Sequence, residues 1–182
     1  TSVLHFGAAL VREWPDQAVR FVARPESRVS GIRLLNTGTL RDVGRIDLQG
    51  VEAAWQSGRL ALQGEWQRAR LARTGRRDAS LHGGYVEAGW MLKGPSRRYR
   101  KGVFKDVPVG DGDAWEIAAR ISRVDLDDAG IRGGRERNHT LGLTYYASER
   151  LRIMANYIDV RSLRRGLRDD PDIVLLRLQL SL

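Results

Sequence analysis

Hydrophobic and polar residues alternate with period two along most of this chain, which is the periodicity of a half-buried strand and not of a helix. In the closing stretch IVLLRLQLSL, Val174, Leu176, Leu178, Leu180 and Leu182 form one set, and Leu175, Arg177, Gln179 and Ser181 the other. In AWEIAARIS, Trp115, Ile117, Ala119 and Ile121 oppose Glu116, Ala118, Arg120 and Ser122. In TLGLTYYA, Leu141, Leu143 and Tyr145 oppose Gly142, Thr144 and Tyr146. In LRIMANYI, Leu151, Ile153, Ala155 and Tyr157 oppose Arg152, Met154, Asn156 and Ile158. None of these apolar sets carries a charge. The pattern predicts an all-β chain of nine strands, at 3–14, 17–24, 45–56, 59–70, 84–92, 114–126, 140–147, 151–160 and 173–182. The second is the weakest, because Pro15 followed by Ala18, Val19 and Val22 also suits the first turn and one face of a helix. Several strands exceed the five or six residues or so usual in soluble sheets.

The connections sharpen this reading. PDQ after Trp14, SG after Gln56 and SER after Ala147 are tight, whereas 25–44, 71–83, 127–139 and 161–172 are long and polar. Short links on one rim and long ones on the other suit an antiparallel up-and-down transmembrane β-barrel. Segment 93–113 breaks the rule, being long on the short-turn rim. With this topology Trp14, Trp55, Trp90, Trp115 and Tyr145 gather near the short-turn rim, as an aromatic girdle at the headgroup level does. Core aromatics account for any one of them, and a soluble sandwich shows the same alternation, so the pattern alone does not separate lipid from a protein core.

Composition narrows the classes. The 182 residues are 42% hydrophobic and 29% charged, a folded balance, with net charge +9. Only Lys93, Lys101 and Lys105 are lysines, so arginine carries the basic excess and favours anionic partners. Cysteine is absent, which removes disulfides, thiolate catalysis and zinc thiolate sites. No uncharged apolar run reaches the roughly 18 residues of a membrane-spanning helix. His5, His82 and His139 are too scattered for a metal site, and DLDDAG lacks the spacing of a calcium loop. DDPD at 169–172 reads as a solvated loop tip or as a bridge to lipopolysaccharide through divalent ions. No nucleophile elbow or phosphate-binding loop is present, and no cofactor is expected.

From GGYVEAGWMLKG at 83–94 onward the sequence resembles the phosphate-selective porins of the O/P family. Matches continue in order through Tyr99, Phe104, AWEIAARISRVDLDD, Gly133 and Gly134, NHTLGLTYY, LRIMANYI and LLRLQLSL. The resemblance implies a homotrimeric porin of the bacterial outer membrane for phosphate and polyphosphate, with a barrel of about 16 strands narrowed by inward basic loops. Residues 1–182 are then one barrel domain, the carboxy-terminal part of a larger barrel, in contact with outer-membrane lipid and lipopolysaccharide. The family usually ends on an aromatic residue, where this chain has Leu182.

The anion-binding candidates follow. PSRRYRKGVFKD carries Arg97, Arg98, Arg100, Lys101 and Lys105 against Asp106 alone. Folded into a barrel, these cations attract phosphate where water is scarce; left in solvent, they bind nothing. Arg120, Arg152 and Arg177, with Arg20 and Arg24, extend the positive path along the wall, or else pair with Glu116 and other carboxylates. Two functions are thus expected in competition: passive diffusion of small anions through an arginine-rich lumen, without enzymatic chemistry or nucleic acid, or a soluble basic β protein binding nucleic acid or a polyanionic polysaccharide.

Overall fold

The computed structural model describes residues 2–27, 29 and 31–181, so the closing Leu182 lies outside the described residues. The strands are β1 Ser2–Glu13, β2 Val22–Ala23, β3 Leu35–Asn36, β4 Val43–Ser57, β5 Leu60–Arg73, β6 Ala79–Lys93, β7 Tyr99–Arg100, β8 Val103–Phe104, β9 Ala114–Asp128, β10 Ile131–Tyr146, β11 Leu151–Arg164, β12 Leu167–Asp169 and β13 Asp172–Leu180. One antiparallel sheet runs β1-β4-β5-β6-β9-β10-β11, with β12 and β13 both pairing β11. β2 with β3, and β7 with β8, are separate two-stranded ribbons. The sheet is open: among the described residues β1 and β13 are edges and do not pair with each other.

Eight of the nine expected strands fall in long strands of this sheet, and the expectation at 17–24 is corrected. Only Val22 and Ala23 form a strand there, paired with β3, and Val19 makes an isolated antiparallel bridge to Leu40; the described residues of 14–42 fold back over the sheet. The alternation in QAVRFVAR meets protein instead of lipid: Val19, Phe21 and Ala23 pack against Leu35, Leu40, Ile46, Leu71, Leu81 and Leu126. Leu35 and Leu71 are fully enclosed, and each such side chain contributes about 1.5–3 kcal/mol. Leu34 anchors the same segment on Ile158 and Val160 of β11. At its end Arg73, 3% exposed, donates to Asp42 at 2.7 and 3.0 Å and to the Ala129 carbonyl at 2.9 Å.

The expected alternation of short and long connections is also corrected. The strands continue well past the predicted ends, so 71–83 shrinks to a turn at 74–78 and 127–139 to Ala129 and Gly130. Ala129 and Gly130 both have positive φ, as do Arg165 and Gly166, the signature of tight hairpin turns. The two long excursions are 14–42 at one rim, called upper, and 94–113 at the other, called lower, where the β4–β5 and β10–β11 turns also lie. At the mouth of the lower one, Gly94 has φ 90°, and a Cβ there would fall 2.6 Å from that of Ala114. This residue turns the chain off β6 and over the sheet.

The register sorts the side chains into two faces. Cross-strand partners Leu62, Ala88, Ala119, Leu141, Tyr157 and Val174 run across one face from β5 to β13. Around them Leu4, Phe6, Leu10, Val86, Trp90, Ile121, Leu176, Leu178 and Leu180 are exposed, up to 81% for Leu10. Among the described residues no second layer of this chain covers this belt. From Trp115 to Ile121 it spans about 20 Å along β9. The opposite face is polar through its middle, with Glu52, Gln63, Tyr85, Glu87, Arg120, Asn138, Thr140, Asn156 and Arg152. Both long segments fold onto that polar face.

Candidate functional site

The lower segment is pinned to the polar face by one buried carboxylate. Nε and Nη2 of Arg97 donate to Oε2 of Glu116 at 3.1 and 2.7 Å, and the Tyr146 hydroxyl donates to the same oxygen at 2.7 Å. Glu116 has 4% of its side chain exposed. Gly89 on β6 leaves the room it needs, since a Cβ there would lie 2.9 Å from Glu116 Oε1. Gln56 Nε2 donates to the Arg97 carbonyl at 3.0 Å, and Val107 and Val109 pack on Met91, Ala114 and Tyr146. The segment is therefore held at both ends, and Arg97, one of the expected anion-binding residues, is a paired anchor.

Between these anchors the chain makes the β7–β8 ribbon, turning at Lys101 and Gly102, both with positive φ. Tyr99 contacts Phe104 edge-on at 5.1 Å and approaches His5 of β1 at 6.0 Å between ring centroids, so the ribbon reaches across the polar face. Arg98, Arg100, Lys101 and Lys105 are all exposed along it. Among the described residues their side chains form neither an ion pair nor a hydrogen bond. Four cations on an otherwise anchored segment can attract an anion without giving up a protein partner.

The wall arginines differ from one another. Arg120 is engaged: Nε lies 2.9 Å from Oε1 of Glu26, Nη1 lies 3.6 Å from Glu87, and the guanidinium sits 3.7 Å over the Tyr85 ring. Glu26, at φ 52° on the upper segment, also accepts from Thr140 at 2.7 Å. Arg152 donates twice to Gln179, at 2.9 and 3.2 Å, and lies 3.9 Å from Asp106. Arg177 is exposed with no side-chain partner among the described residues. Arg20 donates to Thr39 at 2.8 Å. Arg24 lines a groove of about 750 Å³ under the upper segment, shared with Glu26, Glu52, Glu65, Tyr85 and Arg120. Charge in this groove is mixed, so the wall is not an uninterrupted basic strip.

Sequence reasoning missed Glu26, Glu87, Tyr85 and Tyr146, whose roles depend on partners far away in the chain. Glu116, expected as a partner of the wall arginines, pairs instead with Arg97 of the folded-in segment. Among the described residues no group of three His, Asp or Glu side chains is placed to hold a metal ion.

The aromatic residues divide by rim. Trp55, Trp90, Trp115 and Tyr145 stand on the apolar face toward the lower rim, with Trp115 and Tyr145 in contact at 4.6 Å between centroids. Trp14 is corrected: it follows β1 at the upper rim, 66% exposed, because the strand expected after it is missing and the rim assignment flips.

The sequence profile of the family described as phosphate-selective porin O and P matches residues 2–182. An uncharacterized protein of Caulobacter vibrioides is 34% identical over 91% of this chain and 36% of its own length. Porin O of Pseudomonas aeruginosa is 25% identical over 71% of this chain and 34% of its own length. The chain thus spans about a third of the length of these relatives. An open antiparallel sheet with an apolar belt, a polar face and basic segments folded onto it agrees with that match along the whole chain: the protein belongs to the phosphate-selective porin O and P family.

Proposed function

We propose that this chain forms part of the wall of a bacterial outer-membrane porin that passes phosphate, polyphosphate and other small anions by diffusion. The observation that carries the reading is the two-faced sheet. An exposed apolar belt on one side suits hydrocarbon, and the face opposite it, polar through its middle, receives a segment with four unpaired cations. Closed on further strands into a barrel of about 16, the polar face would line an aqueous lumen. Residues 1–182 then act as one barrel domain. Arg98, Arg100, Lys101 and Lys105, with Arg177 on the wall, attract the anion; Arg97, Arg120 and Arg152 hold the segments that narrow the passage. A homotrimer is the expected assembly. No step alters the solute, so no catalytic group is required.

The belt also disfavours the soluble alternative, since a water-soluble basic β protein would have to leave side chains such as Leu10 and Leu176, about four-fifths exposed, in water. The test is electrical. The protein in planar bilayers should conduct anions in preference to cations, with chloride current blocked by phosphate; cation preference, or release in buffer without detergent, would contradict the reading.

A further inference from the structure

Above the belt, on the same outward face, three arginines stand side by side on adjacent strands. Arg123 of β9 faces Arg137 of β10, and Arg137 faces Arg161 of β11. Like charges placed directly opposite repel, and the pairs are about 5 Å apart at Cβ. The strand spacing spreads the three over about 10 Å. Local carboxylates answer only the flanks: Arg123 lies 3.9 Å from Asp125, and Arg161 lies 2.9 Å from Asp159 and 4.0 Å from Asp170. The central Arg137 is exposed and, among the described residues, makes no ion pair and no side-chain hydrogen bond. Arg135, which lies 3.8 Å from Asp125 and 3.4 Å from Asp127, and Arg168 join the row in lining a shallow groove of about 420 Å³ that Glu136 and Asp170 also border.

Position identifies the occupant. Directly below the row come Ile121, His139 and Asp159, and on β10 and β11 the belt begins two residues lower, at Leu141 and Tyr157. The lower end of the belt carries Trp55, Trp90, Trp115 and Tyr145 instead. An anion held by the row therefore sits at the polar edge of the belt, with Ile121 beneath Arg123 and the apolar side chains of β10 and β11 one row further down, which suits a lipid headgroup; a lumenal solute would meet the other face. Arginine is the side chain suited to bidentate phosphate binding, and a basic pocket at the hydrocarbon boundary strengthens it.

We propose that Arg123, Arg137 and Arg161, flanked by Arg135 and Arg168, dock a multiply phosphorylated lipid headgroup of the surrounding leaflet, with its acyl chains on Ile121, Leu141 and Tyr157. The proposal rests on the reading that the belt faces lipid. The phosphates supply the counter-charge that the central Arg137 lacks, and the docked lipid clamps β9, β10 and β11 together at the upper rim.

The test uses the protein in neutral detergent, titrated with diphosphoryl lipid A, monophosphoryl lipid A and inorganic phosphate, with bound ligand read by native mass spectrometry. The wild type should retain the diphosphoryl lipid, and the triple variant Arg123→Gln, Arg137→Gln, Arg161→Gln should lose about tenfold in affinity. Arg137→Lys should restore part of the loss when introduced into that background. Equal retention by the triple variant overturns the proposal, as does displacement of the lipid by equimolar inorganic phosphate, which would mark a free-anion site. Heat-modified gel mobility of both proteins verifies that the variant is folded. A separate arm, flotation with vesicles of phosphatidylcholine alone, tests the lipid-facing belt: failure to float sinks that reading, whereas flotation without selective lipid A retention overturns only the site.

Discussion

Arg97 and Glu116 meet through two donors on one oxygen, at 3.1 and 2.7 Å, and this contact anchors one end of the basic ribbon on the polar face of the sheet. Removing one partner leaves a buried charge without compensation, at a cost of about 3–5 kcal/mol. Arg97→Met should therefore lower the midpoint of urea unfolding and free the 94–113 segment. In bilayers it should raise conductance and current noise while weakening anion preference. The double variant with Glu116→Met should recover much of the stability and none of the ribbon's position. A stable, quiet Arg97→Met channel would mean that Val107 and Val109 suffice as anchors.

The unpaired cations of the ribbon give a graded electrical prediction. At separations of about 15 Å and an effective dielectric near 20, each unit charge is worth about 1 kcal/mol, or about fivefold in relative phosphate affinity. Substituting Arg98, Arg100, Lys101 and Lys105 with Gln one after another should weaken phosphate block stepwise, measured as the concentration that halves the chloride current. Arg120→Gln should act differently, disturbing the contact with Glu26 and loosening the upper segment.

The two faces should respond in opposite ways to the same new charge. Leu176→Arg puts a guanidinium on the belt, which costs about 2–4 kcal/mol near the bilayer midplane. Thr144→Arg puts it on the opposite face, beside Glu116, and should cost little. Folding yields into vesicles, compared by gel mobility, measure the difference.

The upper segment should release in acid. Burial alone would raise the Asp42 carboxyl, but the hydrogen bond from Arg73 and the charges of Arg73 and Arg76 outweigh it, and the net shift is downward. A carboxylate lowered in the folded state contributes stability that is fully present above its unfolded value, about 3.9, and is lost as pH falls through the lower native one. Protease cleavage within 14–42 should therefore stay slow at pH 5 and rise as the pH falls below about 4. Asp42→Asn should abolish that acid step while raising cleavage at neutral pH.

The sequence revealed the strands wherever one face met an apolar phase and the other water. It failed above the belt, in the stretches now seen as the first part of β6, the first half of β10 and the end of β11. In RGGRERNH at 132–139 both faces carry polar or small residues and backbone pairing continues without a hydrophobic period, while in β6 Ala79 and Leu81 turn their apolar side to the opposite face, under the upper segment. The cue at hand was the pair of dipeptides Ala129-Gly130 and Arg165-Gly166, whose glycines suit two-residue hairpin turns. At 17–24 the period was real but its apolar partner was the sheet itself, and that one strand too many carried Trp14 to the wrong rim. The ribbon's charge was legible as composition. Which of its cations is tied down was not, because Glu116 is distant in sequence and Tyr146 more so.

The central claim is that the even-numbered side chains of β13 face hydrocarbon while the odd-numbered ones face water. The cysteine-free sequence allows it to be measured directly, with single spin-labelled cysteines at Val174 through Leu180 in the vesicle-embedded protein. Collision with lipid-soluble oxygen should peak at 174, 176, 178 and 180, and collision with a water-soluble nickel chelate at 175, 177 and 179. Equal access of the nickel chelate to both sets, or protection of the even set from oxygen and nickel alike, would contradict it.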